Sequence, residues 1–268
     1  MTPKIKQILS QCGINEVGIC KFSDIENHLL PCRARDLLPH NASSVIVVLF
    51  PYYAGEVAGS NISKYAWGRD YHRVCGELLA EAVQELQKQF AGEEFVPFVD
   101  NSPIPEVKAA YLAGLGDSGD HGLLISPTFG SFVFIGCIVT TLELMPSRAG
   151  GSCSHCGNCV KACPTGALAE NGRFNKEKCL SSITQQKGTL TEVEAKMIAQ
   201  SGCVWGCDVC QTVCPHNQGI PKTSIPDFGE NLLPILTEKW INTNQIPTDR
   251  AFFWRGKEIL LRNLGILK

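Results

Sequence analysis

Apolar residues at Ile5, Ile8 and Leu9 recur at helical spacing, and Val17 to Cys20 has the makeup of a short strand. Ser44-Val-Ile-Val-Val-Leu-Phe50, ended by Pro51, is a continuous β-branched run of the kind carried by strands covered on both faces, which places it at a sheet centre. From Tyr71 to Phe90, apolar positions at Val74, Leu78, Val83, Leu86 and Phe90 predict a helix of about five turns closed by Ala91-Gly92. Phe95 to Val99 then reads as a strand that Pro97 puts at an edge or a bend. A helix follows from Glu106 to Leu115, stopped by Gly116. Strands are expected at Gly122 to Ile125 and Ser131 to Thr140 around the turn Ser126-Pro-Thr-Phe-Gly130. Farther on, Thr191-Glu-Val-Glu194 matches a capping box and predicts a helix through Gln200, ended by Gly202. The tail offers one apolar stretch, Leu232 to Ile235, and one helix near Trp254 to Leu264.

Helical and strand patterns alternate through about residue 147, so an α/β or α+β domain is expected over 1–147. Arg148-Ala-Gly-Gly-Ser152 has linker composition. It leads into a second domain, 148–222, followed by a helical extension, 223–268, packed on the body. At 268 residues, 44% hydrophobic and 19% charged, the chain can bury a sizeable core. A formal net charge of -2 leaves no global basic field for nucleic acid, so such a contact has to be local. The amino terminus lacks a long apolar segment, and the longest apolar run, Phe132 to Val139, is broken by Gly136 and too short to span a bilayer. A cytoplasmic chain with reduced thiols and no membrane partner is expected.

That compartment changes how the 14 cysteines are read. Nine lie between Cys153 and Cys214. The first run, Cys153-x2-Cys156-x2-Cys159-x3-Cys163-Pro164, has the bacterial ferredoxin spacing, in which the fourth cysteine serves the other cluster. The second, Cys207-x2-Cys210-x3-Cys214-Pro215, mirrors it. Two 4Fe-4S clusters are implied, because two-residue gaps let a tight loop deliver three thiolates while a distant fourth closes the cage. Cys153, Cys156 and Cys159 thereby take Cys214. Cys163, Cys207 and Cys210 lack one ligand, and spacing leaves Cys179 and Cys203 both open. Structural zinc also uses C-x2-C pairs, but it does not call for a crossed arrangement twice followed by proline. Cys12, Cys20, Cys32, Cys75 and Cys137 are scattered and read as inert thiols. His155 and His216 adjoin cluster cysteines and are candidates for hydrogen bonding to sulfur, and Trp205 for shielding a cluster.

In order along the chain, Ser63-Lys-Tyr-Ala-Trp-Gly-Arg-Asp-Tyr-His72, Phe98-Val-Asp-Asn-Ser-Pro103, Ala113-Gly-Leu-Gly116, the first cysteine run and Gly206-Cys-Asp-Val-Cys-Gln-Thr-Val-Cys-Pro-His-Asn217 resemble the epoxyqueuosine reductases, relatives of the reductive dehalogenases. The resemblance implies an α+β fold: a cobalamin-binding, sandwich-like α/β amino-terminal domain joined to a bacterial ferredoxin-like double 4Fe-4S module. It implies electrons passing from an external flavodoxin, ferredoxin or reductase through the clusters to base-off cobalamin, with epoxyqueuosine in tRNA as substrate. Asp100 of Val-Asp-x-x-Pro matches the proton donor, and Tyr65, Arg69, His72, Asp100 and Glu106 fall at cofactor positions. Asp100 also starts a segment of turn composition. The resemblance selects Cys179, sixteen residues after Cys163, as the last cluster ligand. Asp70-Tyr-His72 lacks the glycine at position 75 that a cobalt-ligating histidine signature needs, since Cys75 stands there.

Three departures remove positive or aromatic character. Asp117 stands where the family has tryptophan, Asp120 where it has lysine, and Val107 where an arginine follows the glutamate. The chain also ends near where longer members begin a helical-repeat domain that helps hold tRNA. A paralogue reducing a small molecule, and a non-catalytic 4Fe-4S electron carrier, are the alternative readings.

Overall fold

The computed structural model describes residues 1–151, 153–169, 173–243 and 248–268; Ser152 of the expected linker lies outside them. The chain forms two compact units. One comprises Met1–Pro51, His72–Gly119 and Leu123–Ser154, the other Tyr52–Tyr71, Asp120–Gly122 and His155–Lys268.

The first unit holds α1 (Thr2–Gln11), β1 (Glu16–Lys21), β2 (Ser44–Pro51), most of α2 (Tyr71–Gln89), β3 (Phe95–Val99), α3 (Glu106–Leu112), the short pair β4 (Asp117–Ser118) and β5 (Leu124–Ile125), and β6 (Val133–Thr140). Four strands form one sheet in the order β1-β2-β6-β3, every pair antiparallel. The run at 44–50 is buried throughout because it lies inside this sheet with helices on both faces. Alternate residues Val45, Val47 and Leu49 join a core with Ala109, Ala110 and Ala113 of α3 and the segment after it. Gly136, one register step away opposite Val48, faces Leu79 of α2, and a side chain there would meet Phe50, Leu79 and Val48 at 2.9–3.1 Å. Leu79 rather than Leu78 is thus the deeply buried residue of that turn. Gly18 lets the end of α3 lie directly on β1, where a side chain would collide with the Ala113 carbonyl.

Pro97 sits on β3, which pairs only with β6, so its missing N–H costs no ladder bond. α3 is shorter than periodicity suggests. It stops at Leu112, where Gly114 takes a φ of 77° and the Leu115 N–H reaches back to the Ala110 carbonyl. Only Leu124–Ile125 of the 122–125 segment, and 133–140 of the 131–140 segment, are strand.

The second unit contains α4 (Asn158–Ala162), α5 (Leu180–Thr184), α6 (Glu192–Ser201), α7 (Val209–Thr212), α8 (Pro226–Gly229), α9 (Glu238–Thr243) and α10 (Lys257–Ile266). The capping box forms as expected: Thr191 Oγ1 accepts from the Glu194 N–H, Glu194 Oε2 accepts from the Thr191 N–H, and Gly202 closes α6 at φ 69°. Trp67, Trp205, Phe252 and Leu260 anchor the core. Asn263, fully buried on α10, donates from its amide to the carbonyls of Thr184 and Val204, both at 2.8 Å. Arg250 donates to the Trp67 and Asn231 carbonyls at 2.8 Å. The carboxy-terminal segment and residues 52–71 therefore share a core with the cysteine segment. Among the described residues, no helix is long and apolar enough to cross a membrane.

Candidate functional site

His155 and Gly157 adopt left-handed φ values of 50° and 72°, so the chain turns sharply between Cys156 and its neighbours before α4 carries Cys159. α4 packs against α7, which carries Cys210 and runs into Cys214. The two ends of the cysteine segment thus meet, as the crossed arrangement requires. Cys159 and Cys214 are buried and close enough for Cys214 to raise the Cys159 pKa, after the larger effect of burial. Burial pushes Cys207 and Cys210 up to about 12, and each also feels Cys179. Cys203 acts on Cys207 as well.

Holding iron requires these cysteines as thiolates. Thiolates at Cys207 and Cys210 are costly without a compensating cation. Burial raises Cys163 too, but the backbone N–H groups of Thr165, Leu168 and Ala167 and the Thr165 hydroxyl, 3.7 Å away, turn toward the sulfur and bring its pKa below the ordinary value. Donors aimed at sulfur are what a bound cluster uses.

Tyr65 and Arg69 fold with this segment. The Ser63 N–H donates to the Trp205 carbonyl at 2.8 Å, and the Asp208 carboxylate accepts from the Ser63 hydroxyl and, at 2.8 Å, from the Lys64 N–H. Lys64, buried, lies 3.1 Å from Glu56 and 3.9 Å from Asp208. The Tyr65 hydroxyl accepts from Trp205 Nε1 at 2.6 Å and Gln185 Nε2 at 3.2 Å. Trp205 is fully buried in this contact. Arg69 pairs with Asp227 at 3.2 Å. The Lys64–Asp208 contact escaped sequence reading, because a lone lysine in a polar stretch reads as exposed; the one hint was an acid between two ligand cysteines.

Gly206 makes that packing possible. Its φ is 75°, and a side chain would strike Ser63 and come within 3.1 Å of the Tyr65 ring. Gly206→Ala is expected to destabilise the protein by about 2 kcal/mol or more, combining left-handed strain with the clash, whereas Gly265→Ala, in open space within α10, is expected not to destabilise it. Thermal denaturation of the two variants checks this.

The remaining expected site residues belong to the first unit. β3 is followed by Asp100 and Asn101, both with positive φ, 46° and 34°. Asp100 Oδ1 accepts from the Asn101 N–H at 2.7 Å, and Oδ2 lies 2.9 Å from His72 Nε2. The turn expected from composition is present and carries a half-exposed carboxyl group. Glu106, at the start of α3, directs its carboxyl group to Ser102 and the Asp100 backbone N–H; burial, then the nearby Asp100, raise it to about 8.

Asp117 and Asp120 engage the cysteine loop. Asp117 accepts from the Ser118 N–H at 2.8 Å and the Cys153 N–H at 3.3 Å. Asp120 lies 2.7 Å from His155 Nδ1. Sequence reading saw only their charge.

Residues 152–217 match the 4Fe-4S double cluster binding domain, and 32–101 match the model described as epoxyqueuosine reductase QueG, DUF1730. Similar proteins include the epoxyqueuosine reductases of Synechocystis sp. (40% identity over 72% of this chain and 69% of that one), Bacillus anthracis (30%, 96% and 71%) and Lactococcus garvieae (34%, 78% and 61%). The chain spans less than two thirds of the Lactococcus protein. Among solved structures, epoxyqueuosine reductase from Streptococcus thermophilus superposes with a TM-score of 0.83 at 27% identity, covering 100% of this chain and 80% of that one. An epoxyqueuosine reductase with a tRNA-Tyr epoxyqueuosine-modified stem loop gives 0.85 at 23%, covering 99% and 80%. A catabolic reductive dehalogenase shares the fold at 0.54 and 15%, covering 98% and 35%. By its sequence identity to proteins of which it covers two thirds or more, the chain belongs to the epoxyqueuosine reductase family.

Proposed function

We propose that this chain is an iron–sulfur, corrinoid-dependent oxidoreductase that reduces epoxyqueuosine to queuosine in tRNA. The observation that carries the reading is the Asp100 carboxyl group, presented on a strained turn and held by His72, in a chain that also has a double-cluster domain. Cys153, Cys156, Cys159 and Cys214 hold one cluster; Cys163, Cys179, Cys207 and Cys210 hold the other. An external flavodoxin, ferredoxin or reductase supplies electrons, and the reduced thiols suit the cytoplasm.

When bound, cobalamin supplies a low-valent cobalt able to deliver electrons to carbon. The fit rests on His72: its Nε2 is committed to Asp100, which suits a corrinoid that takes no histidine ligand from this motif. By family position His72 would help hold it, and Asp100 would pass a proton to the departing oxygen. The tRNA assignment draws on the relative solved with a modified stem loop. The charges of Asp117 and Asp120 are partly offset by the N–H groups and imidazole they engage, which lessens their opposition to an anionic substrate.

Anaerobic reconstitution tests the cofactor reading. The chain should bind about eight iron atoms and one cobalamin, the latter seen in the visible spectrum on titration. Full iron without cobalamin uptake would reduce the protein to an electron carrier.

A further inference from the structure

Glu106 has no task in the scheme above, yet its setting is unusual. One carboxyl oxygen, Oε1, is buried without a hydrogen-bond partner. Among the described residues, the groups that face the carboxyl are the Asp100 side chain and N–H from the turn after β3, Ser102 from the same loop, and the buried Cys137 thiol on β6. None is a cation. An ionised carboxylate there would lose its water and leave an acceptor unpaired, so the neutral acid is favoured. With its pKa raised to about 8, Glu106 carries a proton at neutral pH beside Asp100.

We propose that Glu106 is the proton reserve for Asp100, supplying the second of the two protons that removal of an epoxide oxygen consumes. This rests on the functional reading above. Converting an epoxide to an alkene and water takes two electrons, here from the external donor through the clusters, and two protons. Asp100 gives the first to the epoxide oxygen as one C–O bond breaks. Glu106 then passes its proton to the Asp100 carboxylate, a transfer uphill from the weaker acid that is drawn forward as Asp100 spends the proton on the hydroxyl. Asp100 gives the second proton to the resulting hydroxyl, which leaves as water while the second C–O bond breaks and the C=C bond forms. Glu106 regains its proton from solvent between turnovers. It acts through Asp100 and does not touch the substrate.

Glu106→Gln keeps a carbonyl to accept the Asp100 N–H but carries no acidic proton. With an epoxyqueuosine tRNA stem loop, its kcat should fall about tenfold or more at unchanged KM, and Glu106→Asp should restore part of the loss. Wild-type kcat should decline as pH rises through about 8, the range in which Glu106 loses its proton, and the Gln variant should lack that limb. Infrared spectroscopy gives a readout independent of turnover: a protonated-carboxyl band at pH 7 in the wild-type chain, absent from Glu106→Gln. No such band, or a Gln variant with unchanged kcat and an unchanged alkaline limb, overturns the proposal. A wild-type chain that shows the band yet leaves the epoxide intact contradicts the functional reading instead.

Discussion

Cys179→Ser, reconstituted anaerobically, should hold about half the iron of the wild-type chain and show one cluster signal by electron paramagnetic resonance, whereas Cys203→Ser should keep both. A 4Fe-4S cube is held by four cysteine thiolates, and serine at one position leaves a corner without its soft ligand. Spacing alone left these two cysteines equal. We assign the position to Cys179, which acts on the thiols of both Cys207 and Cys210 and sits at the junction of the 176–178 turn and α5, a point fixed by Leu180 and Ile183 in the core. Cys203 acts on Cys207, and its N–H is capped by the Ser201 hydroxyl at 3.1 Å. Loss of iron from Cys203→Ser with full retention in Cys179→Ser reverses the assignment.

Asp100→Asn should lower turnover by on the order of 10²- to 10⁴-fold while iron content, cobalamin uptake and thermal stability stay near wild type. The substitution is well matched to the site. Asparagine tolerates the left-handed φ of 46° better than most residues, and its side-chain carbonyl can still accept from His72 or from the Asn101 N–H. What it cannot do is give up a carboxylic proton. Turnover within a factor of two of wild type removes Asp100 from proton transfer and leaves only its role in the turn. A drop accompanied by loss of cobalamin uptake assigns it to binding instead.

The parts legible in sequence are those set by local chemistry. The 44–50 run declared a strand covered on both faces because every position from 45 to 50 is apolar, and Thr191 with Glu194 declared a helix start because both reciprocal bonds lie within four residues. The ferredoxin spacing was legible for the same reason. The all-antiparallel pairing of β1, β2, β6 and β3 was not, since it joins segments up to about a hundred residues apart. Nor was the partnership of residues 52–71 with the cysteine segment, which rests on bonds such as Ser63 to Asp208 and Trp205 to Tyr65 across some 140 positions. Asp117 and Asp120 looked like lost aromatic and positive character; they are tethers on the cysteine loop, a use visible only once the loop is placed. Glu106 was legible only as a family position, because its burial beside Asp100 depends on how the turn after β3 meets α3.

The central claim is reductive removal of the epoxide oxygen by this chain. Its most direct test is mass spectrometry of an epoxyqueuosine-modified tRNA stem loop incubated anaerobically with the cluster- and cobalamin-loaded protein and a low-potential reductant. Loss of one oxygen atom from the modified nucleoside, dependent on cobalamin, is the predicted result. An unchanged nucleoside, with clusters reduced and cobalamin bound, would contradict it.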